Sequence, residues 1–200
     1  LAETFSEWVY KLNINDIPQE VVSKLQLVVM DSFGLMVSAK NEQYIKSLIN
    51  ALQENGDCTL VGHNKKVNPF NASIINGTAI HGEDFDDTFE GTPVHVGSVM
   101  VPAMLSSAQA KNLDGEKFLK GLVVGSELIC RLALVAPTAV HRQGFHPTAI
   151  FGAFGSSIGV SSLLGNTIDE MSSGLGIVGS MASGIIAVSY THLRAHETVV

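Results

Sequence analysis

Nineteen of the 36 residues at positions 149–184 are glycine, alanine or serine, and so little side-chain volume restricts how this segment can pack. Small residues recur at four-residue steps, as Ala149, Ala153 and Ser157 and again as Gly152 and Ser156. Such steps place them on one face of a helix, where they let two helix backbones approach closely. Each glycine costs a helix roughly 1 kcal/mol relative to alanine, so tight packing has to offset the loss. The pattern predicts two helices over 148–164 and 168–185, packed as a close internal pair. A membrane origin for the pattern is disfavoured. No Asp, Glu, Lys or Arg occurs over 143–168, but serines and Gly165-Asn166 break up the run of about 20 apolar residues that a span needs.

The rest of the chain reads as helical too. Leu1, Phe5, Trp8, Val9 and Leu12 recur at helical spacing. Asp16 before Ile17-Pro18 predicts a helix start, and the apolar run that follows extends to about Ala39. Further helices are predicted over 43–55, from the Asn68-Pro69 cap to about Ile80, over 101–111 and over 114–135. Between them, "CTLVGHNKKV" reads as a small hairpin turning at 62–64. The expected fold class is all-α with at most that short hairpin, in a helical domain covering 1–186.

Composition excludes some functions. Apolar residues make up 46% of the 200, and only 16% are charged, which suits a packed core rather than a disordered chain. A net charge of −7 argues against nucleic acid, whose binders displace counterions with a basic face. Cys58 and Cys130 have no metal-ligand spacing and read as buried reduced thiols of an intracellular protein. No secretory signal is visible at the start, which opens on Leu1.

Two motif matches mislead. "GLGIVG" at 174–179 fits the dinucleotide fingerprint, but that motif works at a strand-to-helix turn and here lies inside a predicted helix. "HLRAH" spaces His192 and His196 as zinc ligands on a helix can be. The string "VSYTHLRAHETVV" departs so abruptly from what precedes it that 187–200 reads as a non-native tail.

The chemistry concentrates in "HGEDFDDTFEGTPVHVGS", with four carboxylates between Glu83 and Asp87 and a histidine at His95. A solvated loop whose aspartates cap the next helix is the plain reading. Flanking core segments and the nearby His95 favour a site instead. In "RQGFHPTAIFG", His146 precedes Pro147 at the mouth of the small-residue helix, with Thr148 as the expected N-cap. A histidine beside a helix N-terminus has its cationic form disfavoured. "DFDDT" also fits the D-x-D-D acid of terpene cyclases, whose sites are rich in aromatics; only 6% of this chain is aromatic. It fits the D-x-D-x-T nucleophile of haloacid-dehalogenase phosphatases as well, which requires a strand just before it. A helical interaction module with an acidic loop is the non-catalytic alternative.

"NGTAIHGEDFDDT", "HVGSVMVPAMLSSAQ", "GFHPTAIFGAFGSS" and "LGIVGSMASGI" together resemble the MmgE/PrpD family, in order and with similar spacing over about 1–186. The resemblance implies a two-domain lyase, a homodimer that needs no metal or organic cofactor, with the chain ending before a smaller α+β domain. It implies a small tricarboxylate substrate, with 2-methylcitrate dehydration favoured over cis-aconitate decarboxylation. It also implies a cytoplasmic location, or the mitochondrial matrix in a eukaryote. Asp84, His95 and His146 correspond to its catalytic positions and Thr88 to a substrate-binding one. Lysines that supplement the family's site fall beyond this sequence, so the fragment is expected to be inactive alone.

Overall fold

The computed structural model describes residues 1–52 and 54–186. Among these described residues nine α-helices follow in order: α1 (Ala2–Lys11), α2 (Gln19–Ser38), α3 (Gln43–Ala51), α4 (Pro69–His81), α5 (Gly97–Lys111), α6 (Gly115–Val135), α7 (Ala139–Arg142), α8 (Pro147–Leu164) and α9 (Ile168–Met181). Between α3 and α4 the strands β1 (Asn55–Thr59) and β2 (Lys66–Val67) pair antiparallel, with a register irregularity between Asn55 and Cys58. The fold is thus mostly helical with one hairpin, as expected. Helix starts follow the local chemistry. Asn68 accepts a hydrogen bond from the Asn71 amide with Pro69 in the first turn, Asp114 accepts one from Lys117, and Thr167 forms a capping box with Glu170.

At the centre, α8 packs on α6, α5 and α9, while α4 covers α5 and α2 lies across α4, α5 and α6. Glycines set the closest approach. A Cβ on Gly125 would stand 2.6 Å from the Gly155 carbonyl oxygen, and one on Gly155 would stand 2.8 Å from that of Gly125. Gly121 and Gly159 repeat the relation one turn away, at 2.9 and 2.8 Å. The small-residue helix therefore does make a tight pair, and its closest backbone approach is to α6. The contact uses Gly155 and Gly159, not the alanine and serine steps that stand out in the sequence. Gly152 opens space for Val99 of α5.

Several boundaries differ from expectation for local reasons. Helix α3 stops at Ala51 because β1 begins at Asn55, where Gly56 presses on the backbone of Val67 and Asn68. Helix α5 begins at Gly97, four residues before the expected start, because the Asp87 carboxylate accepts from the Gly97 amide at 2.8 Å. Pro102 is tolerated inside it and lies against Gly77 of α4. Helix α9 ends at Met181, and the chain then pairs back along the loop before α8. His146 N–H donates to the Gly184 carbonyl at 3.0 Å, and Ile186 N–H donates to that of Gly144 at 2.9 Å. The glycine-rich "GLGIVG" is interior to α9, away from any strand-to-helix turn.

Cys58 is buried, whereas Cys130 is only partly so, a correction to the reading of two buried thiols. Burial pushes the Cys130 thiol up to about 11. Two stretches, Gln19–Asn41 and Pro147–Leu164, are long and apolar enough to cross a membrane. Half of the second is buried among its neighbours, as a core helix is. Positions 187–200, with His192 and His196, lie outside the described residues.

Candidate active site

Helix α4 ends where Gly82 lies against Tyr44 of α3, whose hydroxyl donates to Glu83 at 2.8 Å. Asp84 follows in the left-handed conformation, at φ 58°, which aspartate tolerates better than most residues. The chain then doubles back, and each carboxylate of the acidic passage has a separate task. Glu83 holds Tyr44, Asp84 faces a cleft, Asp86 turns inward between two imidazoles, and Asp87 caps α5. The capping role expected of a plain loop is therefore real, but it belongs to Asp87 alone. That division also removes the D-x-D-D reading, since Asp86 and Asp87 are both engaged within the fold. The D-x-D-x-T reading lacks its strand, because helix α4 precedes the motif.

The cleft measures about 660 Å³ and is bounded by the end of α4, the following loop and the N-termini of α5 and α8. His81, Asp84, His95, His141 and His146 line it. Ring centroids of His81 and His95 are 4.8 Å apart, and those of His81 and His146 are 5.6 Å apart. His95 Nε2 lies 3.9 Å from Asp84 Oδ1. Three of the four expected residues, Asp84, His95 and His146, thus share one cleft. Thr88 does not. It stands behind His95, with its hydroxyl 3.5 Å from Nδ1, and lines a separate hollow toward α2 and α6.

His146, not Thr148, is the N-cap of α8: its Nδ1 accepts from the Ala149 amide at 3.3 Å. The buried Thr148 hydroxyl instead accepts from the His95 backbone amide at 3.0 Å and ties the two histidine loops together. These contacts fix protonation. An accepting Nδ1 leaves the neutral His146 ring with its proton on Nε2. Burial, followed by repulsion from His81 and His95, pushes the His146 pKa down, so the ring stays neutral.

His95 behaves oppositely. Its hydrogen bond to Asp86 raises its pKa against the opposing effect of burial, and the charges of Asp86 and Asp84 add to the rise. Burial pushes Asp86 upward, but hydrogen bonds and charge from His81 and His95 outweigh it and hold the carboxylate well below its ordinary value. The cleft therefore pairs a neutral imidazole with one biased toward imidazolium, a separation that suits acid–base work.

Linkage gives this bias a stability signature. Because the His95 pKa is raised on folding, its contribution is fully present below the unfolded value of 6.5 and is lost as pH rises through the folded value. Thermal unfolding of His95→Gln against the parent chain is expected to show the widest gap near pH 5 and a narrowing gap toward about pH 8.5. A gap constant across that range would mean that His95 carries no folding-linked proton.

His81 and Asp86 were not picked out by sequence reading. The available signal was their spacing: a histidine at the end of a helix, five residues before an aspartate that the turn folds back onto it. His81, Asp84, Asp86 and His95 offer ligand atoms within 4.8 Å of one another, a set able to hold a metal ion. In the described geometry, Nδ1 of both rings is engaged by Asp86.

The helical domain thus brings carboxylates and imidazoles with opposite pKa shifts into one cleft. The chain belongs to the MmgE/PrpD family: the model of its N-terminal domain matches residues 3–198. Among curated relatives, a cis-aconitate decarboxylase-like protein of Aspergillus oryzae, oryM, is 31% identical over 92% of this chain. The cis-aconitate decarboxylase of Aspergillus terreus is 26% identical over 92%, and that of Homo sapiens is 25% identical over 97%. The chain spans about 40% of the length of these relatives, with 40%, 39% and 42% covered.

Proposed function

We propose that the protein is a lyase acting on a small tricarboxylate, and that decarboxylation of a cis-aconitate-like substrate is its reaction. The names carried by the relatives favour this over the 2-methylcitrate dehydration that sequence reading placed first. The observation that carries the proposal is the gathering of Asp84, His95 and His146 in one cleft, with His146 Nδ1 accepting from the Ala149 amide and His95 Nδ1 facing Asp86. Loss of carbon dioxide breaks a carbon–carbon bond and leaves its electron pair on the substrate, delocalised over the double bond and a neighbouring carboxylate. An imidazolium at His95 stabilises that charge and returns a proton to carbon. His146, neutral, donates a hydrogen bond from Nε2 to a substrate carboxylate, and Asp84 holds His95 in position. The homodimer implied by the family resemblance is part of the same proposal.

The experiment is a carbon dioxide release assay on the intact protein with cis-aconitate and, in parallel, dehydration of 2-methylcitrate followed by ultraviolet absorbance. Release from cis-aconitate without turnover of 2-methylcitrate is expected. Turnover of 2-methylcitrate alone would reverse the order, and inertness toward both would remove the lyase reading. As proposed, the reaction uses imidazole and carboxylate groups only, so activity should survive dialysis against a chelator. Loss of activity restored by a divalent cation would move the chemistry to the quartet around Asp86.

A further inference from the structure

Among the described residues, no lysine or arginine lines the cleft, so within them imidazoles are the side chains that can offer a substrate carboxylate positive charge. His146 is held neutral, and His95 is assigned to proton transfer. His81 is the third ring, with its centroid 4.8 Å from that of His95 and 5.6 Å from that of His146. Its Nδ1 lies 3.0 Å from both oxygens of Asp86, whose side chain is fully buried, while the His81 side chain is 29% exposed into the cleft. The same carboxylate reaches His95 Nδ1 at 3.4 Å. One buried carboxylate thus anchors two rings by the same nitrogen, which leaves Nε2 of His81 to meet a ligand, while Nε2 of His95 has Asp84 Oδ1 at 3.9 Å. A buried partner that fixes an imidazole's tautomer and ring angle is the usual means of orienting a working histidine.

We propose that His81 is a substrate-contacting residue that takes a carboxylate of the tricarboxylate through Nε2–H, and that Asp86 is the positioning residue that holds His81 and His95 in register. This rests on the tricarboxylate reading of the cleft. The contact places Nδ1–H on Asp86 and Nε2–H on the ligand. The other titratable groups around the ring are Asp84, Asp86 and Glu83 from its own loop, His95 before α5, and His141 and His146 from α7 and α8. Tyr44 of α3 stands behind Glu83.

The test is calorimetric binding of cis-aconitate to the intact protein across about pH 5.5–8.5, with His81→Asn and Asp86→Asn as variants. Asparagine at 81 keeps an amide donor for Asp86 but removes the ring and its charge. The expected result is affinity lowered about 10- to 100-fold in His81→Asn. Asp86→Asn should weaken binding and shift the pH profile. In turnover, His81→Asn should raise KM more than it lowers kcat. If Asp86→Asn fails to fold, His81→Asn alone decides. Parent-like affinity in His81→Asn would overturn the inference and leave the proposed function standing. Failure of the parent protein to bind cis-aconitate would overturn both.

Discussion

Alanine in place of His146 is expected to lower turnover of the tricarboxylate by about 10²–10⁴-fold, and alanine in place of His95 by a similar factor. The reasoning is geometric. Both rings line one cleft, and each is fixed by a neighbour that sets its protonation: the Ala149 amide for His146 and the Asp86 carboxylate for His95. Neither contact can be replaced by water without losing the tautomer. Asp84→Ala is expected to fall in the same class through loss of the carboxylate beside His95 Nε2. Thr88→Ala provides the contrast. Because Thr88 lies behind His95 and outside the cleft lining, its loss should cost less than about tenfold, the scale of one weak neutral hydrogen bond. Steady-state kinetics on the four variants checks this order. A Thr88 effect as large as that of His146 would mean that the cleft described here is not where substrate sits.

The second large effect concerns the scaffold. Gly155→Ala places a methyl group 2.3 Å from Ile129 Cγ1 and 2.8 Å from the Gly125 carbonyl oxygen. The side chain could yield, but the backbone of α6 cannot move without separating the two helices. A destabilisation of about 2–4 kcal/mol is expected, which for a chain of this size lowers the melting midpoint by about 5–15 °C. Gly176→Ala in α9 has nothing within 4 Å of its new methyl. It should be neutral or stabilise by up to about 1 kcal/mol, because alanine is the better helix former. Calorimetric melting of the two variants separates a packing requirement from mere glycine content. Equal midpoints would contradict the close α6–α8 crossing.

The crossing also shows how far the sequence could be read. Abundant small residues announced a close helix pair, and the cap at Asn68 announced the start of α4, because these are local signals. The partner of α8 was not legible. The glycines that meet it, Gly121 and Gly125, sit alone in an otherwise ordinary amphipathic helix, and only the tertiary arrangement selects them. The site divides similarly. Asp84, His95 and His146 stood out as polar residues among apolar segments, and the family resemblance named them. The resemblance assigned Thr88 to substrate as well. A loop that doubles back puts neighbours in sequence on opposite sides of His95. His81 and Asp86 were overlooked for the converse reason. Their partnership exists only because Gly82 packs on Tyr44 and Asp84 takes a left-handed turn, and neither event has a period or composition to betray it.

The central claim is that a tricarboxylate binds among these imidazoles. Co-crystallisation of the intact protein with cis-aconitate, in the His95→Gln background to slow turnover, tests it most directly. The account predicts ligand density in the cleft, with one carboxylate within hydrogen-bond distance of His146 Nε2 and another beside His81. Ligand bound on any other face of the molecule, with the cleft occupied only by solvent, would contradict it.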